Sequence, residues 1–243
     1  MNTPEPTILP AGDAALVVAF GNEISPAVNA RVRALTDSLA RRPLRGVTEC
    51  VPTFRSVLVA YDPCAVRYAW LRRKLARRLA ALSLAGEAET RVFVIPVCYG
   101  GAFGEDLPAV AEHTGFSPDE VIRRHSGADY LIYMLGFLPG FAYLGGLEQA
   151  LHTPRLQNPR TSIPAGSVGI GGEQTGIYPL ASPGGWQLIG RTPVRPYDPR
   201  RAEPILYRAG DYIRFVPVSA EEYAELEQKQ AAGERIWEVK ARG

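Results

Sequence analysis

The chain has 243 residues, enough for two domains of ordinary size, and we predict two. Its formal net charge of +2 is too small to indicate nucleic acid or an anionic membrane surface as a partner. Its three cysteines include no CxxC pair and indicate neither a disulfide framework nor a cysteine metal site. The first residues lack the basic and apolar regions of a secretory signal, so we expect a cytoplasmic protein.

The first part of the chain alternates short apolar runs with amphipathic helical patterns. Ser25 followed by Pro26 supplies an N-cap and a first-turn proline for the first helix. The second helix has leucines on one side and arginines around the other, which is typical of a solvated surface helix. The predicted elements are a strand at 14–20, a helix from Pro26, strands at 47–51 and 56–61, a helix after Pro63 and a strand at 91–97. This βαββαβ order predicts a ferredoxin-like sandwich over residues 1–98.

The composition changes at Gly100, because 17 of the 24 glycines lie between Gly100 and Gly190. Two short helices are predicted first, at 105–113 and 118–124, and without a basic recognition face they are weak evidence for DNA binding. Short β-rich runs separated by glycine and proline follow, which predicts a barrel or sandwich. The runs are 130–135, 167–170, 174–180, 186–189, 205–207 and 212–218. A capped helix begins at Ser219, and we assign residues 99–243 to the second domain.

Residues 130–147, YLIYMLGFLPGFAYLGGL, carry no charge, and a run of about 18 such residues is long enough to cross a membrane as a helix. Pro139 near its middle and several glycines make that helix costly, so we predict a strand followed by a loop. The loop contains Phe137, Phe141 and Tyr143. Two interpretations stay open: a buried loop packed on the barrel, or the wall of a ligand pocket.

Arginines and neutral hydrogen-bonding residues surround this loop, whereas acids are scarce. Between Tyr130 and Pro193 only Glu148 and Glu173 are acidic. Such a composition suits an anion, for example a carboxylate or phosphate bound by bidentate arginine. The candidate residues are His125, Ser126, Arg155, Asn158, Arg160, Ser167, Gln174, Thr175, Tyr178, Trp186, Gln187 and Arg191.

Several common catalytic motifs are missing from the sequence. There is no GxxxxGK[ST], and the segment GSVGIGG at 166–172 is a weak dinucleotide-binding match because no long helix is predicted after it. No GxSxG occurs, and the histidines lack HxH or HExxH spacing, so we predict neither a serine hydrolase nor a zinc site. Burial is the expected role of most histidines, with His125 as the best catalytic candidate.

Several segments together resemble one bacterial family. They are VPTFRSVLVAYDP, IPVCYGG, the pair His125-Ser126, GFLPGFAYLGGL, TPRLQNPR, IPAGSVGIGGEQTGIYP, SPGGWQLIGRTP and AGDYIRFVPV. Over residues 12–218 the sequence resembles the family of the 5-oxoprolinase B subunit, also known as the KipI-type kinase inhibitors and as allophanate hydrolase subunit 1. The resemblance implies an α+β protein with an N-terminal ferredoxin-like domain and a C-terminal cyclophilin-like β-barrel.

The same resemblance implies one subunit, inactive alone, of a hydrolase that converts 5-oxoproline (pyroglutamate) to glutamate. It would work with the larger C subunit of 5-oxoprolinase to activate the lactam with ATP and Mg, at a site shared with that C subunit, and the A subunit would complete ring opening. Phosphorylation of the amide oxygen would supply a leaving group, which a resonance-stabilised amide lacks.

On this resemblance we predict that Arg160 and Arg191 clamp carboxylate or phosphate and that His125 acts as acid or base. The predicted substrate-binding residues are Tyr133, Phe137, Phe141, Ser167, Gln174, Tyr178 and Trp186, and no metal ligand is predicted. Two alternatives stay open: inhibition of a sensor histidine kinase by protein contact, and a component of the allophanate hydrolase or urea carboxylase type.

Overall fold

The structure is a computed structural model that describes residues 5–82 and 90–242. The chain divides into two compact units, Met1–Ala88 and Glu89–Gly243. Each unit has a hydrophobic core of its own. Within the described part of the chain, no helix is both long and apolar enough to cross a lipid bilayer.

The first unit is a four-stranded sheet with two helices. Its elements are β1 (Thr7–Pro10), β2 (Ala15–Ala19), α1 (Pro26–Arg41), β3 (Val47–Pro52), β4 (Ser56–Tyr61) and α2 (Tyr68–Ala80). The strand order is β1-β2-β4-β3, and all neighbours are antiparallel. Alternate residues of β2 and β4, such as Leu16 and Val57, are fully buried together with Leu35 of α1 and Leu71 of α2. One face of the sheet therefore forms a common core with both helix stripes.

One strand that we assigned to the first domain belongs to the second unit. Residues 91–97 were predicted to complete the ferredoxin-like sheet, but β5 (Arg91–Tyr99) pairs with strands from the C-terminal part of the chain. The edge beside β2 is occupied instead by β1. The predicted boundary at 98/99 would cut through β5, whereas the compact units divide between Ala88 and Glu89.

The second unit is built on an eight-stranded sheet. After β5 its elements are α3 (Leu107–Thr114), α4 (Pro118–Ser126), β6 (Asp129–Leu135), β7 (Ala142–Gly145), β8 (Arg160–Ile163), β9 (Ser167–Gly171), β10 (Gln174–Ile177), β11 (Ser182–Gly184), β12 (Gln187–Arg191), β13 (Tyr212–Pro217), α5 (Ala220–Ala231) and β14 (Glu238–Ala241). The strand order is β10-β9-β12-β5-β13-β6-β7, and β14 also pairs with β5. The strands β8 and β11 form a separate two-stranded sheet.

The eight-stranded sheet closes nearly into a barrel, because β7 and β10 at its two ends lie against each other. At its centre β5 runs parallel to β13, while β14 and β12 pair antiparallel with it. The fully buried residues Ile95, Val97, Ile132 and Phe215 belong to the core inside. A mixed α+β fold with a barrel-like sheet and a separate sheet confirms the predicted class at that level.

The uncharged run 130–147 is a β-hairpin, and not a strand followed only by a loop. β6 and β7 pair antiparallel and are joined by residues 136–141. Gly145 is the last residue of β7 and lies beneath the ring of Tyr133. A Cβ at Gly145 would come within 1.9 Å of that ring, so the glycine is required by packing.

Other elements differ from the sequence predictions in small ways. Residues 205–207 form no strand, since Ile205 makes only an isolated bridge to Tyr197. The helix after Ser219 is confirmed as α5, and the capping box between Ser219 and Glu222 is present in both directions. The short strands β1, β7, β8, β11 and β14 were not predicted.

Gly104 offers a test of the packing of α3 and its preceding turn against β12. A Cβ at Gly104 would lie 2.1 Å from the carbonyl oxygen of Ile189, a backbone atom that cannot rotate away. We expect Gly104→Ala to lower the free energy of unfolding by about 1–3 kcal/mol, the usual cost of overpacking. Urea denaturation followed by circular dichroism measures this.

The matched control is Gly185→Ala, whose added methyl group would have its nearest neighbour at 3.5 Å. That variant should stay close to the wild type in stability. Equal free energies of unfolding for the two variants would contradict the packing described here.

Candidate functional site

Four of the predicted substrate-binding aromatic residues meet in the second unit. The ring of Phe141 lies at the centre and makes edge-on contacts with Phe137, Tyr178 and Trp186 at centroid distances of 5.5, 5.7 and 5.6 Å. Tyr143 adds a fifth ring at 5.2 Å from Phe141. We call these five residues the aromatic cluster. Contacts of this geometry are favourable for aromatic rings beyond the area that they bury.

The aromatic cluster is mostly a packed core, with one ring in solvent. Phe141, Tyr178 and Trp186 are nearly fully buried, whereas Phe137 is 63% exposed. Phe137 also has φ of 68°, and no other non-glycine residue in the described ranges has a positive φ. This left-handed conformation costs an L-residue about 1–2 kcal/mol. Packing explains the buried rings, but it does not explain an exposed phenylalanine held in a strained loop.

Glycines let the indole of Trp186 lie flat on β9 and β10. A Cβ at Gly171 would come within 2.2 Å of the indole, and one at Gly176 would lie 3.2 Å from it. Gly171 pairs directly with Gln174, and paired residues share a face of the sheet, so Gln174 lies on the Trp186 face. The glycine-rich segment 166–172, which weakly matched a dinucleotide-binding motif, therefore leaves the space that the indole occupies.

Arg160 lies beside this cluster and is already paired with two carboxylates. Its Nη2 donates to Asp106 Oδ1 at 2.8 Å, and its Nε lies 3.0 Å from Glu105 Oε1. The hydrogen bond to Asp106 raises the pKa of Arg160. Asp106 Oδ2 also accepts from the backbone N–H of Leu188 at 2.6 Å. Arg160 thus helps to fix β8 against β12, while its buried Nη1 has no hydrogen-bond partner among the described residues.

The scarcity of acids between Tyr130 and Pro193 did not reveal this pairing, because Glu105 and Asp106 precede that range. The exposed cation of the cluster is Arg155, whose guanidinium lies 6.0 Å from the centroid of the Trp186 ring. Burial raises the pKa of Tyr178, while the charges of Arg155 and Arg160 act in the opposite direction. The two arginines therefore both lie near the phenol of Tyr178.

Arg191 and Ser167 form a second group. They pair directly in β12 and β9, so their side chains share one face of the sheet. Arg191 Nε and Ser167 Oγ are both buried, and neither has a hydrogen-bond partner in the described part of the chain. The charge of Arg191 acts on Tyr223 of α5, whereas Arg160 binds Glu105 and Asp106. The two arginines share no partner among the described residues, and their role as a clamp for carboxylate or phosphate stays a prediction.

His125 lies in the barrel core and is fully buried. Its ring stacks on Phe215 with centroids 4.8 Å apart, and its backbone carbonyl accepts a hydrogen bond from Tyr130 Oη at 2.7 Å. The Nδ1 atom is 2.8 Å from Tyr99 Oη, and Nε2 is 2.7 Å from Thr175 Oγ1. Both ring nitrogens are therefore occupied by protein groups.

The hydrogen bonds around His125 favour one neutral tautomer. Thr175 Oγ1 donates to the carbonyl of Gly169 at 3.0 Å, so it accepts from an Nε2–H of His125. Nδ1 then carries no proton and accepts from the hydroxyl of Tyr99. Burial lowers the pKa of His125 from 6.5 to about 3. This arrangement supports a structural role and does not support the acid–base role that we predicted.

The remaining predicted residue, Tyr133, packs on the last residue of β7. It is buried with its ring over Gly145, while Tyr130 and Ile132 on the other face of β6 enter the barrel core. Burial raises the pKa of its phenol. We assign Tyr133 to packing of the β6–β7 hairpin. No group of three His, Cys, Asp or Glu residues that could hold a metal ion is found in residues 5–82 and 90–242.

The chain is similar to several known proteins. The family model for the carboxyltransferase domain, subdomain C and D, matches residues 6–207. The B subunit of 5-oxoprolinase from Bacillus subtilis is 45% identical over 222 residues, which cover 87% of this chain and 92% of that protein. The crystal structure of TTHA0988 is 40% identical with a TM-score of 0.75 over 85% of this chain, which spans 40% of that longer chain. The urea amidolyase of K. lactis, 22% identical, shares the fold with a TM-score of 0.81 over 99% of this chain and 16% of its own.

The buried neutral His125 predicts an acid-sensitive core. Its pKa in the folded state, about 3, lies below the ordinary value of 6.5, so between these pH values the unfolded state binds the extra proton. Stability is therefore complete above about pH 6.5 and falls as the pH is lowered, by up to about 1.4 kcal/mol per pH unit. Urea denaturation at several pH values between 6.5 and 4.5 measures this slope for the wild type and for His125→Gln.

His125→Gln should be less stable at pH 7 but should lose less stability on acidification, because it has no imidazole to protonate. His113→Gln, which changes an exposed histidine, is the matched control and should keep the slope of the wild type. A wild-type slope in His125→Gln would show that this histidine is not the buried neutral group.

Proposed function

This chain belongs to the family of the 5-oxoprolinase B subunit, and on that premise we propose that it is one component of the ATP-dependent enzyme that converts 5-oxoproline to glutamate. The observation that carries the proposal is the 45% identity to the Bacillus subtilis protein over 92% of that protein's length. We propose that the chain works with the C and A subunits of 5-oxoprolinase and is inactive alone. The proposal includes a ferredoxin-like first unit, completed by β1, and a cyclophilin-like barrel. The cytoplasmic location expected from the sequence stays a prediction.

We propose that the opening of 5-oxoproline needs functional groups from the other subunits in addition to those of this chain. Opening a lactam requires activation of a resonance-stabilised amide, and phosphorylation by ATP would supply that activation. The carboxylates beside Arg160 are engaged by its guanidinium, and the described residues offer no cluster of metal ligands for a magnesium–nucleotide complex. We therefore propose that the nucleotide site is shared with the C subunit.

The aromatic cluster is the surface that we propose for contact with the C subunit. Exposed aromatic residues are frequent anchors of protein interfaces, and they contribute most where the partner removes them from water. Phe137 projects from a loop that rests on the buried rings of Phe141 and Trp186, so it is held rigidly. Arg155 adds an exposed cation at the same place.

Reconstitution with the partner subunits tests the proposal directly. We expect the chain, co-expressed and purified with the A and C subunits, to form glutamate from 5-oxoproline only when ATP is present. The chain alone should show neither glutamate formation nor ATP hydrolysis. A stable complex of all three proteins that forms no glutamate would refute the enzyme assignment.

The same purified complex distinguishes 5-oxoprolinase from the two alternative functions. ATP-dependent turnover of a urea-derived amide, with no turnover of 5-oxoproline, would favour a component of the allophanate hydrolase or urea carboxylase type. Inhibition of a sensor histidine kinase by the chain, without any enzymatic activity in the complex, would favour the regulatory alternative.

Phe137→Gly tests the role of the exposed loop. Glycine adopts the left-handed conformation freely, and this gain of about 1 kcal/mol offsets the greater freedom of glycine in the unfolded chain. We therefore expect little change in the melting temperature of the isolated chain. The dissociation constant for the C subunit, measured by calorimetry, should rise at least about tenfold, the effect of losing an interface anchor.

Ile24→Ala is the control, because Ile24 is a similarly exposed apolar residue, at 59%, on the first unit. It should leave the dissociation constant unchanged. A Phe137→Gly chain that binds the C subunit as tightly as the wild type would remove the aromatic cluster from the interface.

A further inference from the structure

A cleft of about 320 Å³ lies in the second unit between α5 and the residues that flank β9 and β12. Gly166 and Thr192 line it from the barrel side, and Tyr223, Glu227 and Gln230 line it from α5. The volume lies at the lower end of the range of small-molecule sites. Its size therefore suits a small metabolite better than a peptide or a nucleotide.

The unpaired side chain of Gln230 is the first observation that indicates a ligand in the cleft. The residue is only 7% exposed, and its Oε1 has no hydrogen-bond partner among the residues that the structure describes. A buried acceptor without a partner costs about 1–3 kcal/mol, so folding alone would favour an apolar residue here. The terminal torsion of glutamine is soft, and the amide can turn to meet a donor in the cleft.

Two more unpaired groups belong to residues that are next to lining residues in the sequence but do not line the cleft themselves. Ser167 follows the lining residue Gly166, and Arg191 precedes the lining residue Thr192. Ser167 Oγ and Arg191 Nε are the buried atoms without partners described above. One acceptor in the cleft lining thus lacks a partner, as do one cationic donor and one hydroxyl on adjacent residues, and Arg191 Cγ would lie 3.5 Å from a Cβ at the lining residue Gly166.

The charges around the cleft have both signs. Arg195 lines it with an exposed side chain, and Arg191 stands close enough to Tyr223 to act on its phenol. Glu227 lines the cleft from α5, and burial together with the charge of Glu227 raises the pKa of Tyr223. Arginines favour a carboxylate, while Glu227 and the amide oxygen of Gln230 favour an N–H group.

We propose that this cleft binds a small molecule that combines a carboxylate with an N–H donor, the chemical class of 5-oxoproline and glutamate. The carboxylate lies against Arg195 and Arg191, and the lactam or amino N–H donates to Gln230 Oε1. The inference rests on the proposed function for its choice of ligand. It moves the substrate-binding role of Ser167 and Arg191 to the α5 side of the barrel, away from the aromatic cluster.

Binding to the isolated full chain tests the proposal without requiring turnover. The probes are 5-oxoproline, L-glutamate and 2-pyrrolidinone, a lactam without the carboxylate, each studied by calorimetry and by the shift in melting temperature. We expect 5-oxoproline, L-glutamate or both to bind and 2-pyrrolidinone to bind at least about tenfold more weakly, because it lacks the charge-assisted contacts.

Gln230→Met distinguishes a role in ligand binding from a role in folding, because it removes the unpaired acceptor while the side-chain volume stays nearly constant. A ligand-binding glutamine predicts that the ligand-free variant is as stable as the wild type or more stable, while ligand affinity falls about tenfold. A glutamine needed for folding predicts the opposite pattern. Gln228→Met, at an exposed position of the same helix, should change neither stability nor binding.

Arg195→Gln provides a second variant that does not depend on a buried position. It should also weaken binding about tenfold, because the carboxylate loses a charged partner. The proposal is overturned if no probe binds, if binding is unchanged in Gln230→Met and Arg195→Gln, or if Arg155→Gln at the aromatic cluster abolishes binding instead. Binding by a chain whose complex forms no glutamate would support the cleft and refute the proposed reaction, so the two failures are distinguishable.

Discussion

The parallel pairing of β5 with β13 is the interaction on which the second unit depends. Val92–Val97 of β5 lie in register with Tyr212–Pro217 of β13, although more than a hundred residues separate the two strands. The pairing places Phe93, Ile95 and Phe215 in one core and leaves the other edge of β5 to β12 and β14. Long-range parallel pairing forms only after a large loss of chain entropy, so the elements between these strands must fold together with it.

His125 is a buried polar group in this core whose ring nitrogens both have hydrogen-bond partners, which offsets the free energy of removing them from water. Tyr99, His125, Thr175 and the carbonyl of Gly169 form one chain of hydrogen bonds in which each proton has a single acceptor. The chain joins β5, α4, β10 and β9, so it fixes α4 to the barrel through directional contacts in addition to apolar packing. A fully satisfied network of this kind specifies one arrangement of the core.

The sequence predicted features that depend on local chemistry. The N-cap at Ser25 and the capping box at Ser219 are present because the responsible residues are neighbours along the chain. The assignment of β5 to the first domain was wrong because an apolar strand does not identify its partner, and β1 is too short and exposed to have been recognised. For the same reason the ion pairs of Arg160 were not predicted, since Glu105 and Asp106 are distant from it in sequence. The aromatic composition of the cluster was predictable, whereas the exposure of its individual rings was not.

The close contact of Gly171 and Gly176 with the indole of Trp186 makes these positions depend on one another. A side chain introduced at Gly171 has no room while the indole is present, and a smaller residue at Trp186 would leave an empty space above the strands that carry these glycines. Changes at the two positions should therefore be far from additive, and a bulky residue at Gly171 becomes acceptable only together with a smaller one at Trp186. A larger residue at Gly171 and a smaller residue at Trp186 should therefore be tolerated together better than either one alone.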